Sequence, residues 1–433
     1  MKLEKISSIS CICAFGLILL QSQAFCQNPA KDSWATFTQT FSEEFTDLSF
    51  GGLSLSYLIN LEQIPSKEVL EKQQAFIHKV SKKLQSFDPT PFSRVQQLEY
   101  HLLNYQLVLH QERIQLEKKW KKHAQISISP EGLAYIPMGK DWYTHFLHRW
   151  VDLDVDPDSL YVFGAQQVAR AKQAMKDIQV ESGLAEEAFQ LSLSHDRFFY
   201  QSAEEVEAAF LQYQEDVSSI LPAYFPYLEK VSTIKIKQGT DPNLARVPGF
   251  YRNNTFFYNY FDKPFNNRQI GWLYLHEAVP GHHYERSLRA TLGQTDLQNL
   301  FWMPCYSEGW AAYIEEIAVS IHAYRDVYEE YGKWEWDLIR SVRVMLDVGL
   351  NYYGWEDTKA MEVWKSHISN LDEIGEREIA RMKKWPAQVI TYKYGADWFL
   401  QQSQQFGELK SFHQSLMDVG PLPFSILKEL IQL

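Results

Sequence analysis

The sequence predicts a mainly α protein: one large helical domain with a small β segment beside its most unusual helix. Two observations carry this reading. Apolar residues recur at three- and four-residue spacing over most of the chain from about Phe37 onward, with breaks at Pro- and Gly-containing turns. Only two short stretches abandon that period. Composition agrees, because 433 residues with 45% hydrophobic and 22% charged side chains can bury a sizeable core, far from the balance of a disordered chain. A net charge of −12 with no long Lys/Arg tract offers no footing on a phosphate backbone or an anionic membrane, so nucleic acid is excluded as a partner. No repeat, low-complexity tract or Gly/Ser linker divides residues 25–433, which read as a single domain.

The first element is an address. Lys2 and Lys5 precede an apolar stretch over 6–20, and the small residues Ser22 and Ala24 suit cleavage after Ala24, so residues 1–24 read as a secretory signal peptide. Cleavage after Cys26 is the alternative, and Phe25 disfavours a lipid anchor on that cysteine. The stretch is shorter than the ~20 apolar residues of a membrane span. The expectation is an exported protein, periplasmic or extracellular, with no transmembrane segment in the mature chain. Cys11, Cys13 and Cys26 lie in or beside this segment, leaving Cys305 alone, with no structural disulfide and no Cys cluster for a metal.

Helical patterns follow at 67–86, 93–120, 157–180, 203–219, 267–292, 306–330, 333–352, 356–369, 371–383 and 390–405. The clearest is 93–120, where Val95, Leu98, Leu102, Tyr105, Leu109 and Ile114 mark one face. Residues 231–237 and 250–260 favour extended chain. They read either as a surface hairpin or as an edge strand whose free N–H and C=O groups could hold a peptide backbone. The aromatic residues around them, with Trp302, Trp310, Trp334 and Trp336, read mainly as core. His110, His145, His148, His195 and His322 are scattered singly and carry no assigned role.

The chemistry concentrates at 273–285, LYLHEAVPGHHYE. Zinc hydrolases place two His one helical turn apart with a Glu beside the first, so that both imidazoles face the metal and the carboxylate reaches its bound water. Here the spacing departs from that rule. At ~100° per residue, His276 and His282 would flank an undisturbed helix on opposite sides, and His283 would return to the face of His276. Pro280 and Gly281 predict a break in the helix instead. If two residues loop out, His282 becomes the second ligand; if three do, His283 does. A third ligand is expected from 307–316, SEGWAAYIEE, where Glu308 opens a helix 32 residues after His276. Gly309, Ala311 and Ala312 allow that helix to approach another closely. Glu308 and Glu315, seven apart, share a face, which suits one as ligand and the other as partner of a ligating His.

These two motifs, His276-Glu277-x-x-Pro280-Gly281-His282-His283 and Glu308-Gly309-Trp310-Ala311-x-Tyr313-x-Glu315, resemble the hallmark of the bacterial DUF885 family, whose members are similar to gluzincin zinc peptidases. The resemblance extends through 130–132, 142–143, 164–174, 343–349, 386–395 and 420–423. It implies His282 rather than His283 as the second ligand, and hence Zn²⁺ held by His276, His282 and Glu308. Glu277 is then expected as general base of an exported metallopeptidase acting on peptide substrates. Tyr392, inside the Pro-x-Gln and Tyr-Lys-x-Gly features of 386–395, is the first expectation for the oxyanion donor. Arg343 is the second, on the oxyanion or on a substrate carboxylate. A binding protein of the same fold without turnover, or a hydrolase of non-peptide amides, would use the same residues. Glu285 and Asn351 stand where Gln and His are common in the family.

Overall fold

A computed structural model describes residues 29–431, apart from Leu53, 124–127, Arg246 and Asp262. The expected leader over 1–24 and Cys26 lie outside the described residues. The fold is mainly α with a few short strands. The helices that position the site are α1 (Arg94–Trp120), α2 (Gly139–Trp150), α3 (Pro157–Glu181), α4 (Ile270–Glu277), α5 (His282–Leu292), α6 (Pro304–Ser320), α7 (Val327–Val348), α8 (Asp372–Lys384) and α9 (Ile390–Phe406).

Local chemistry sets their ends. Ser93 and Gln96 form a reciprocal capping box at the start of α1. Asp156 caps α3 with Pro157 in its first turn, and Asp326 accepts two backbone N–H groups of α7. The pattern read as one helix over 267–292 is two helices, α4 and α5, separated by a cis Val279–Pro280 bond and Gly281. Gly281 is required there, since a Cβ would lie 2.0 Å from the His276 carbonyl oxygen. The pattern read over 306–330 ends at Ser320, where the chain turns through His322 at φ 55° before α7 begins.

Two close helix pairs form the heart of the domain, α6 on α9 and α7 on α3. A Cβ on Gly309 of α6 would sit 2.6 Å from the Gly395 backbone of α9, so both positions need glycine for this approach. At the centre Glu316 of α6 accepts from Arg170 of α3 (2.7 and 3.1 Å) and Lys393 of α9 (3.0 Å), and pairs with Lys333 of α7 (3.0 Å). Lys393 also bonds Asp337 at 2.7 Å. One carboxylate therefore joins all four helices.

The extended stretches form a three-stranded sheet of β1 (Lys235–Gln238), β2 (Gly249–Arg252) and β3 (Thr255–Tyr258). β3 is central, parallel to β1 and antiparallel to β2, with Gly249 opposite Tyr258 and Arg252 opposite Thr255. Asn253 and Asn254, at φ 50° and 56°, make the two-residue β2–β3 turn, which suits Asn. β2 packs on α4, where a Cβ on Gly249 would meet Leu273 at 3.3 Å. The β segment thus lies beside the helix that carries His276. A second, two-strand pairing joins Phe199–Tyr200 to Phe265–Asn266.

Candidate metal centre

His276 and Glu277 end α4, His282 opens α5, and Glu308 lies in the first turns of α6. Their donor atoms converge: one from each of His276, His282 and Glu308 lies within 4.8 Å of the others. Glu308 Oε2 is 3.4 Å from His282 Nε2 and 3.9 Å from His276 Nε2, both long for a hydrogen bond. Burial pushes the Glu308 carboxyl up, yet His282, His276 and Arg381 together pull it down to about 2. Burial alone would depress His282, but Glu308 and Glu277 raise it.

His283 takes the opposite direction. Its Nε2 is 2.6 Å from the Ser232 carbonyl and its Nδ1 3.1 Å from the Tyr251 hydroxyl, so it ties α5 to the β segment. The break at Pro280 is what turns His282, and not His283, toward His276. Trp310 of α6 holds that break by donating its indole N–H to the Pro280 carbonyl at 2.9 Å.

Glu315 accepts a hydrogen bond from His276 Nδ1 at 2.7 Å, which directs Nε2 toward Glu308. Burial raises the Glu315 carboxyl, but Arg340, 2.5 Å away, holds it ionised. Glu277 is 8% exposed and bonds no described residue, although a buried carboxylate with a structural role is normally partnered.

Tyr392 lies beside this cluster, its ring 6.3 Å from that of His276, and its hydroxyl accepts from Gln388. Burial and the Glu308 charge raise the Tyr392 hydroxyl, so it keeps its proton and remains a donor. Arg343 is buried and bonds Glu378 at 3.1 Å, with its guanidinium 5.3 Å from the Tyr392 ring. Arg381 of α8, half-buried, reaches Gln388 at 2.6 Å and acts electrostatically on Glu308 and Tyr392. Neither Arg340 nor Arg381 stood out in the sequence, because each meets the site only through packing of α7 and α8 against it. Glu285, one turn after His282, is buried with both oxygens unbonded and Arg289 at 3.7 Å, and burial raises its carboxyl. Asn351 bonds the backbone carbonyls of Asp347 and Met382.

With this geometry, the family model for the bacterial proteins of unknown function called DUF885 matches residues 113–431. The chain belongs to the DUF885 family. Both sequence motifs, and every residue of the cluster, lie inside the matched region. No curated protein matches the sequence. Among solved structures, a "putative lipoprotein" from Colwellia psychrerythraea is 21% identical, with a TM-score of 0.64 over 86% of this chain and 71% of that one. A second, described as "a putative lipoprotein of unknown function" from Shewanella oneidensis, is 13% identical with a TM-score of 0.67 over 92% of this chain and 99% of that one. At these identities the likeness shows a shared fold. Among the described residues, no helix is long and apolar enough to cross a membrane.

Proposed function

We propose that this DUF885 protein is an exported zinc-dependent peptidase, with His276, His282 and Glu308 holding the metal and Glu277 as general base. The observation that carries this reading is the convergence of three buried or half-buried donors that do not bond one another well. Ligand atoms around a tetrahedral zinc, at about 2.0–2.1 Å from it, are roughly 3.4 Å apart. The 3.4 and 3.9 Å separations at Glu308 are close to that spacing. When bound, zinc supplies Lewis acidity and lowers the pKa of a coordinated water.

The protein's own groups have definite tasks in this reading. Glu277, free of structural bonds, removes a proton from the attacking water and returns it to the leaving amine. Tyr392, held protonated, donates to the oxygen on which charge develops, and Arg381 adds positive potential there. Arg343, bound to Glu378 and close to the Tyr392 ring, orients that tyrosine. β2 beside α4 offers an edge on which an extended peptide backbone can pair.

The test uses the mature chain and a mixed peptide library, with non-peptide amides run in parallel. Cleavage that is lost on chelation, regained with Zn²⁺, and abolished by Glu277→Gln with metal still bound is the expected result. A Glu277→Gln variant with wild-type turnover removes the proposed base. Turnover of amides alone shifts the substrate class. Stoichiometric peptide binding with no turnover makes the protein a binder. The description of both structural neighbours as lipoproteins supports export and favours a second reading of the N-terminus, a lipid on Cys26. Fractionation of wild type and Cys26→Ser separates it from a freely soluble mature chain.

A further inference from the structure

Away from the metal centre, α1, α2 and the start of α6 enclose a cavity of about 260 Å³ that shares none of the catalytic or ligand residues. Phe50, Trp150, Phe301 and Phe424 wall it, and Trp302, 51% exposed, stands at its mouth. Beside Tyr105, Cys305 and Tyr306, whose hydroxyl and thiol groups bond backbone carbonyls, it is lined by Gln106 and His110, one turn apart on α1, and Arg149 near the end of α2. None of Gln106, His110 and Arg149 hydrogen-bonds a described residue, although Gln106 and His110 are 6% and 7% exposed. Arg149 is half-buried, and His110 Nδ1 is buried with no partner; buried polar groups are normally bonded, so Gln106 and His110 beside a guanidinium mark the cavity as built for something polar.

The charges define the chemistry. Burial and the neighbouring Arg113 bring Arg149 down to about 10, so it is still a cation at neutral pH. Glu117 is the carboxylate it feels, but both Glu117 oxygens are bonded by Arg113 at 3.0 Å. Burial and the charges of Arg113 and Arg149 keep His110 neutral. Among the described residues, the cavity therefore presents one positive charge without a bonded carboxylate and two neutral hydrogen-bonding groups against aromatic walls. A dianion would be left undercompensated in such surroundings, while a monoanion matches the single guanidinium. At roughly 30 Å³ for each water-sized group, the volume suits a molecule of about nine heavy atoms.

We infer that this cavity is a binding site for a small carboxylate with an apolar tail, its carboxylate on Arg149 and its tail among the aromatic rings. Two sources share this chemistry, a medium-chain fatty acid and an aryl carboxylate. The experiment titrates the full mature chain with octanoate and with 3-phenylpropionate, followed by calorimetry, by intrinsic tryptophan fluorescence, to which Trp150 and Trp302 of the cavity contribute, and by the thermal midpoint. Acetate and 1-octanol are the controls. The expected result is saturable one-to-one binding of at least one carboxylate, at least tenfold tighter than 1-octanol or acetate. Arg149→Gln is expected to weaken it at least tenfold, and chelator-treated protein to bind equally well. The carboxylate that binds more tightly identifies the source. The inference is overturned if neither carboxylate saturates, if 1-octanol binds as tightly, if Arg149→Gln binds like wild type, or if chelation abolishes binding. Should Arg149→Gln fail to fold, the comparison of octanoate with 1-octanol on the wild-type chain decides.

Discussion

Glu315 and Glu316 are adjacent on α6, and their substitution by Gln is expected to fail in opposite ways. Glu315 holds His276 Nδ1 at 2.7 Å, and Arg340 holds Glu315 in turn. Neutralising it keeps an acceptor but loses a charge-assisted bond that orients a ligand, a change that typically costs 10–100-fold in metal affinity, or about 1.4–2.7 kcal/mol. Glu316 touches no group of the cluster. Its charge compensates Arg170, Lys333 and Lys393, and both lysines are 1% exposed. Removing one member of such a buried network costs about 3–5 kcal/mol of fold stability. Chelator competition with Zn²⁺ and urea unfolding of the metal-free protein separate the two quantities. Glu315→Gln should bind metal more weakly, and Glu316→Gln should unfold earlier while its folded fraction binds metal like wild type. If Glu315→Gln binds zinc with wild-type affinity, the reasoning that this carboxylate supports a ligating histidine is wrong.

Other outcomes follow from the same contacts. His282→Ala should abolish tight Zn²⁺ binding in calorimetry. His283→Ala should retain it, losing instead the bonds to Ser232 and Tyr251 and showing faster amide exchange around β2. Asp347, fully buried, is raised to about 7 by burial despite bonds from Tyr143 and the Ala387 amide. The folded state therefore keeps a proton that the unfolded chain releases near pH 4, so this group's stabilising contribution falls as pH rises from about 4 to 7. Asp347→Asn should remove that slope, gaining on wild type by up to about 4 kcal/mol between those limits, read from urea midpoints. Gly309→Ala places a Cβ 2.6 Å from the Gly395 backbone, and calorimetry should register a loss of roughly 3 kcal/mol or more, since neither helix can yield by turning a side chain.

Much of this architecture was readable from periodicity. The expected helices over 67–86, 157–180, 203–219, 371–383 and 390–405 correspond to observed ones within a few residues. The failures have a common physical origin. Apolar spacing continues through Ile321 and Ala323, so a turn made by His322 at positive φ, without Pro or Gly, is invisible to a period. The pattern at 267–292 likewise spans its break, although Pro280 and Gly281 announced it. Gly139–Trp150 was recognised only by its Trp142-Tyr143 pair and not as a helix. At the site, the spacing of the two motifs points to His276, Glu308 and Glu315 and leaves His282 and His283 open, the family resemblance favours His282, and these four side chains lie together. Arg340 and Arg381 were illegible because nothing within their own helices distinguishes them from ordinary charged positions. Their relevance arises from helices far apart in sequence coming to rest on the same cluster.

The indole of Trp310 clasping the Pro280 carbonyl has a consequence for how this architecture can vary. It is a direct mechanical link between the two donor-bearing segments, so their mutual registration does not depend on the stretch of chain that joins them. The connection from Gly293 to Met303 is tied down by contacts of its own, Gln298 on the Val419 carbonyl and Phe301 in the cavity wall, so its course and the donor spacing are held separately. Relatives with quite different excursions there should preserve the same inter-donor spacing, provided that the tryptophan and the proline persist together.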